Sequence, residues 1–251
     1  MNITALILFR ILLPAMLLFL SGPACADDLD LRRLIREVED QYMGASSEAV
    51  MEMRVSTEHW RRTTVMRAWS LGRDHFLVRI LEPAREKDVA TLKIGREVWN
   101  YLPRVDRTIR VPPSLMGGSW MGSHITNNDL VKAAHIDEDY DFTLLAEDDT
   151  TWTIEGLPRP DAVVIWGRIV YRVDKERRVP ITIDYFDEDG IKVRRIAFDR
   201  VERIQGRDIP MSMRVTPLDK PGEETVLDYH ELTFDIDIDA GFFSLRRLKM
   251  R

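Results

Sequence analysis

The strongest constraint in this chain is a two-residue rhythm. Met51, Met53, Val55 and Thr57 alternate with Glu52, Arg54, Ser56 and Glu58. Successive side chains point to opposite faces of a strand, so the pattern describes a strand with one dry and one wet face. The rhythm returns in TTVMRAWSLG, HFLVRIL, VATLKIG, EVWNYLP and TIRVP. After residue 138 it continues in DYDFTLLAED, TWTIEGLP, GRIVYRVDK, PITIDYFDEDG, IKVRRIAFD, IPMSMRV and TVLDYHELTF. Gly72-Arg73-Asp74, Gly95 and Pro103 to Arg107 punctuate the first half as short turns, and Asp189-Gly190 is a strong hairpin signal in the second. No long helical pattern separates neighbouring strands. That argues against parallel crossover units and predicts a mainly β protein built on one antiparallel, meandering sheet.

A sheet of this many strands must curl, close or pack on something to hide its apolar face. Two pieces of the chain are available as covers. In DLDLRRLIREVEDQYMG, Leu31, Leu34, Ile35, Val38 and Tyr42 form one stripe at helical spacing, with Gly44 as the stop. The other piece lies at 112–135, where the strand rhythm breaks for Pro112-Pro113, Gly117-Gly118 and Trp120-Met121. Thr126-Asn127-Asn128-Asp129 reads as the cap of a short helix beginning near Leu130. No low-complexity linker and no internal repeat appears, so residues 27–251 read as a single domain.

The first 26 residues, MNITALILFRILLPAMLLFLSGPACA, have one arginine, an apolar run and a closing Ala24-Cys25-Ala26. This is the layout of a cleaved secretory signal, with Asp27 as the first mature residue. A permanent anchor fits less well, because Arg10 and Pro14 interrupt a run already short of the roughly 20 apolar residues a spanning helix needs. Cys25 as a lipid-modified terminus is a third reading, with Gly22 and Pro23 as poor company. Cys25 is the only cysteine, so the mature chain expects no disulfides and no thiol chemistry. The signal carries Arg10 as its only charge, so its removal takes the net charge from −6 to −7. That balance argues against nucleic acid as a partner.

Catalytic motifs are sought without success. His59, His75, His124, His135 and His230 lack metal-ligand spacing. Gly117-Gly118-Ser119-Trp120-Met121-Gly122 misses the nucleophile elbow, since its second glycine falls one place late. Asp235, Asp237 and Asp239 open like a calcium loop but continue with Ala240 and Arg246 where glycine and an acid are required. They read instead as the wet face of a strand whose Phe234, Ile236 and Ile238 point inward. No catalytic residue, metal or cofactor is nominated. The large, soft side chains are more informative. Met53, Trp69, Trp99, Tyr101, Leu115, Met116, Trp120, Met121 and Met213 are the candidates for a deformable apolar cavity between a curved sheet and a lid, with core filling as the alternative for each.

WNYLPRVDRTIRVPPSLMGGSWMGSHITNNDL and the closing IDAGFFSLRRL resemble the LolA-like family of outer-membrane lipoprotein-sorting proteins, and more closely its larger periplasmic branch. The similarity runs over nearly the whole mature chain and is weakest around 137–180. The resemblance implies antiparallel strands bent into an open, unclosed half-barrel, with helices across the mouth. It implies a non-enzymatic periplasmic carrier whose concave face shelters the acyl chains of lipoproteins or lipids. It also implies an inner-membrane transporter of RND or ABC type as donor and an outer-membrane acceptor. No single arginine here aligns with the functional arginine of the shorter carriers, and both lipoprotein and lipid cargo stay open. An accessory subunit of a membrane transporter without cargo, and an exported hydrolase working through carboxylates, are the competing classes. On the carrier reading, Pro112–Asn128 forms the lid: prolines fix its start, glycines give hinges, and Leu115, Met116, Trp120 and Met121 form the apolar underside.

Overall fold

The two-residue rhythm builds a sheet of thirteen strands, all paired antiparallel. The computed structural model describes residues 30–132 and 135–250, so the expected signal segment 1–26 lies outside the described residues. The first meander runs β1 (Ser46–Ser56), β2 (Arg61–Leu71), β3 (His75–Glu82), β4 (Ala90–Ile94), β5 (Glu97–Leu102) and β6 (Arg107–Arg110). The second runs β7 (Tyr140–Glu147), β8 (Thr151–Pro158), β9 (Arg168–Asp174), β10 (Pro180–Phe186), β11 (Lys192–Ile204), β12 (Arg207–Pro217) and β13 (Glu224–Phe234). Spatial order is β6-β5-β4-β3-β2-β1-β13-β12-β11-β10-β9-β8-β7. The two meanders therefore meet only where β1 pairs with β13, with Met53 opposite Leu227 and a register shift at Val50/Met51. β6 and β7 stand at the two ends unpaired with each other, and the sheet is an open half-barrel.

The helix α1 (Leu31–Met43) forms where its apolar stripe requires it. Asp30 caps it by accepting from Arg33 N, and Gly44, at φ 59°, ends it. Leu34, Ile35 and Val38 pack on Ile154, Ile169, Tyr171 and Ile183, so α1 covers the concave face of the second meander. A strap joining β6 to β7 covers the concave face of the first. It contains 3-10 turns at Pro113–Leu115 and Trp120–Gly122, then α2 (Asn127–Lys132) and α3 (Ile136–Asp139). The expected cap is present: Thr126 N donates to Asp129 Oδ2 and Asp129 N to Thr126 Oγ1, and the helix starts at Asn127, three residues earlier than expected.

The convex face has its own cover on one half only. After β13 the chain turns at Asp235, whose φ is 57°, so 235–239 is irregular and not the strand extension expected for the aspartate row. Asp239 caps the 3-10 turn Ala240–Phe242, and α4 (Leu245–Lys249) follows with Ser244 as its cap. Phe243 and Leu248 pack there on Leu77, Ala90, Leu92 and Tyr101. Among the described residues no helix is long and apolar enough to cross a membrane.

Candidate functional site

Between the strap and the concave wall lies a cavity of about 290 Å³, bounded at its second-meander end by Ile136, Tyr140, Val164 and Trp166. Its wall is mostly apolar, with Met51, Ala68, Ile196, Met213 and Val215 from both meanders. Ligand sites usually span about 300–1,000 Å³, so the cavity stands at the small end of that range. It straddles the β1–β13 seam, to which Leu227 and Tyr229 contribute from β13.

The strap closes one side of this cavity with Trp120, Ile125 and Leu130, of which Trp120 is the largest. Trp120 is 3% exposed and packs among Ala49, Met51, Val78 and Ile80. Its indole N–H donates to Thr91 Oγ1 at 3.1 Å, and Thr91 in turn donates to Asn100 Oδ1. The strap is internally bonded rather than loose: Trp120 N donates to Ile125 O, Asn127 N to Gly118 O and Asn128 N to Met116 O. Its tight turn needs consecutive left-handed residues, Met121 at φ 49° and Gly122 at φ 69°, so the glycine is required there by conformation. Polar latches hold it down. His124 Nε2 lies 2.9 Å from Glu223 Oε2 and its Nδ1 lies 2.9 Å from Thr225 Oγ1, while Arg62 bonds the Met121 carbonyl. Arg194 reaches Asp129 with two bonds, 2.6 and 2.9 Å, and lies over the rings of Tyr185 and Trp166.

On the other side, an ion-pair clasp fastens α1. Asp137 is 1% exposed and accepts from Arg36 and Arg73, each at 2.7 Å. Burial alone would raise its pKa, but the two guanidinium groups outweigh burial and hold it below the usual carboxylate range. Arg73 also pairs with Asp40 on α1. Glu39, half-buried on the same helix, accepts from Tyr171 Oη at 2.9 Å. Burial pushes its carboxyl up to about 7, with that hydrogen bond opposing.

The expected site residues divide. Trp120 and Met213 line the cavity. Trp69 borders it, but its ring packs at 5.5 Å on Phe242 in the convex cluster. Met53 is fully buried in the packing behind Trp120, and Met121 lies against that same cluster. Leu115 is 59% exposed and Met116 half-buried, so the strap's underside rests on Trp120 and Ile125 instead. Trp99 and Tyr101 belong to the opposite face. Register places Trp69, Leu77, Leu92 and Trp99 in one cross-strand row, and that row faces α4. The expectation assumed one dry face, whereas β3 and β4 are covered on both. Sequence reasoning missed Lys93, Arg73 and Arg194, charged residues in alternating strands or turns that read as solvated. Among the described residues no three His, Cys, Asp or Glu side chains converge as a metal site.

Comparison with known proteins agrees with this architecture. A domain named for outer membrane lipoprotein sorting, from Vibrio parahaemolyticus, is 22% identical, with a TM-score of 0.77 over 87% of this chain and 98% of its own. A DUF1329 family protein from Desulfovibrio piger is 22% identical at TM-score 0.78, over 86% of this chain and 97% of its own. A LolA superfamily protein from Nitrosomonas europaea is 21% identical at TM-score 0.72, over 86% and 98%. At these identities the likeness is one of fold. No curated protein matches the chain in sequence. A family model described as "Uncharacterized protein" matches residues 72–250, well over half the chain. The chain belongs to that family, and its fold is the LolA-like open half-barrel.

Proposed function

We propose that the protein is a non-enzymatic periplasmic carrier that shelters an acyl chain in the concave cavity and moves it between inner and outer membrane. The observation that carries this reading is a mostly apolar cavity on a LolA-like half-barrel, closed by a strap that docks through Trp120 and Ile125. Each buried methylene contributes about 0.8 kcal/mol, so a sixteen-carbon chain gains roughly 12 kcal/mol gross. That suffices to hold a chain out of water. Release then requires a wall that opens, and the strap supplies one. The donor on this reading is an inner-membrane transporter of RND or ABC type and the acceptor lies at the outer membrane, as lipoprotein sorting by the Vibrio relative's description suggests. On this reading the closed cavity of about 290 Å³ has room for at most one chain. A multiply acylated cargo needs the strap displaced.

The test is to purify the mature chain from cells and identify co-purifying lipid by mass spectrometry. Acyl ligand is then titrated while tryptophan emission is followed, with Trp120→Phe as the reference. Bound lipid and an emission change that disappears in Trp120→Phe support the carrier. A lipid-free protein with no response leaves the transporter-associated interaction subunit as the better account.

A further inference from the structure

Lys93 is the feature of the cavity that packing does not explain. It is 2% exposed, in the middle of β4, and it lines the cavity. Register places it in a cross-strand row with Phe76, Ser70 and Ser47, all four on the concave face and all four lining the cavity. Among the described residues its ammonium has one acceptor, the carbonyl of Arg73, and no carboxylate at ion-pair distance. An ammonium carries three donors, so two remain for the cavity. The nearby acid that acts on it, Asp74, lies at the surface and pairs with His135 at 3.3 Å.

The other cations of the site are matched. Arg194 holds Asp129, and Arg73 holds Asp40 and Asp137. A buried charge without a partner destabilises the fold, and a core position has no reason to keep one. Burial lowers the Lys93 pKa to about 8, with Asp74 opposing, so the amine is still mostly charged at neutral pH. An apolar cavity with one unmatched cation in its wall is complementary to an amphiphile of opposite charge. The Ser47–Ser70 hydroxyl pair, 2.7 Å apart, offers a further donor in the same row.

We propose that the cavity takes an anionic amphiphile, an acyl chain ending in a carboxylate or phosphate, and that the Lys93 ammonium pairs with its head. This rests on the acyl-carrier reading and adds the class of head group. Binding of palmitate, hexadecyl phosphate, hexadecanol and inorganic phosphate to the whole mature protein tests it, in the wild type and in Lys93→Met. One of the two anionic amphiphiles should bind at least about tenfold tighter than the alcohol, as a charge-assisted hydrogen bond implies. Which of the two binds tighter identifies the head. Lys93→Met should lose that margin, keep its affinity for the alcohol, and melt no lower than the wild type, because an unmatched charge has been removed. Equal binding of alcohol and anions by the wild type overturns the head-group assignment and leaves the carrier reading standing. No binding of any chain overturns both. Inorganic phosphate binding as tightly as hexadecyl phosphate overturns the amphiphile in favour of a bare anion. Should Lys93→Met not fold, the wild-type margin decides: it should shrink as pH rises past about 8, and a margin flat across that range rejects Lys93 as the partner.

Discussion

The two halves of the sheet are covered in different ways. The first meander is enclosed on both faces, by the strap on the concave side and α4 on the convex side, and four successive residues of β4 are buried. The second has α1 on its concave face, and β7 beyond Tyr140 is mostly exposed. The covers themselves also differ. α1 lies on a broad aliphatic contact and is fastened at one end by ion pairs around Asp137. The strap is an internally bonded segment whose apolar contact with the sheet runs through Trp120 and Ile125, with Met121 and Leu130 beside them. On the carrier reading, a cover held by a few side chains and polar latches is the one to open as a unit. One held by a row of side chains is not. On the proposed carrier reading the strap is the cover that opens and α1 the one that stays.

Three substitutions probe this contrast. The largest effect is expected for Trp120→Ala, at about 3–5 kcal/mol of stability. Hydrogen exchange should accelerate across 112–130 while α1 keeps its protection. Equal acceleration in both covers would erase the distinction between them. Asp137→Asn comes next, at about 3 kcal/mol, because it leaves Arg36 and Arg73 facing a neutral group. Urea unfolding should show the loss, and exchange should now rise in α1 and not in 112–125. The smallest effect belongs to Glu39→Gln. Burial pushes the folded carboxyl up to about 7 from its ordinary 4.5, so its favourable contribution is complete below pH 4.5 and lost as pH climbs to 7. Glutamine should therefore raise the melting temperature at pH 8, by about 1 kcal/mol in stability given the group's partial exposure, and leave it unchanged near pH 4. A variant less stable than the wild type at pH 8 would mean that the Tyr171 hydrogen bond outweighs the burial of charge.

Much of the fold is legible in the sequence because period two is unambiguous. Every segment of the alternating rhythm from Met51 to Phe234 holds a strand, the aspartate row at 235–239 being the exception, and the stripe from Leu31 to Val38 is a helix with the expected stop at Gly44. What the rhythm cannot convey is which face is covered, and by what. Trp99 and Tyr101 alternate as cavity residues would, yet their side of the sheet packs on a helix about 150 residues later in the chain. Lys93 and Arg194 look like wet-face residues for the same reason, yet Lys93 is buried beside the Arg73 turn and Arg194 beneath the strap at His124 and Asp129. Trp120 was legible because a tryptophan between glycine-rich turns has no strand to belong to. Leu115 shared those surroundings and lies outward, since one short loop buries only one side.

The strand order carries a consequence for how the cavity comes into being. Within each meander neighbours in sequence are neighbours in space, so both assemble through local hairpins. The pairing of β1 with β13 joins residues nearly 180 positions apart, and it is the step with the greatest loop-closure cost. The cavity wall lies astride that join. A chain lacking its last strand retains most of its hairpins and a free β1 edge, but it has no pocket. On the proposed carrier reading, affinity for cargo is in this sense a checkpoint on completed folding: a ligand that spans both meanders adds its binding energy to the one long-range seam and to nothing that forms earlier.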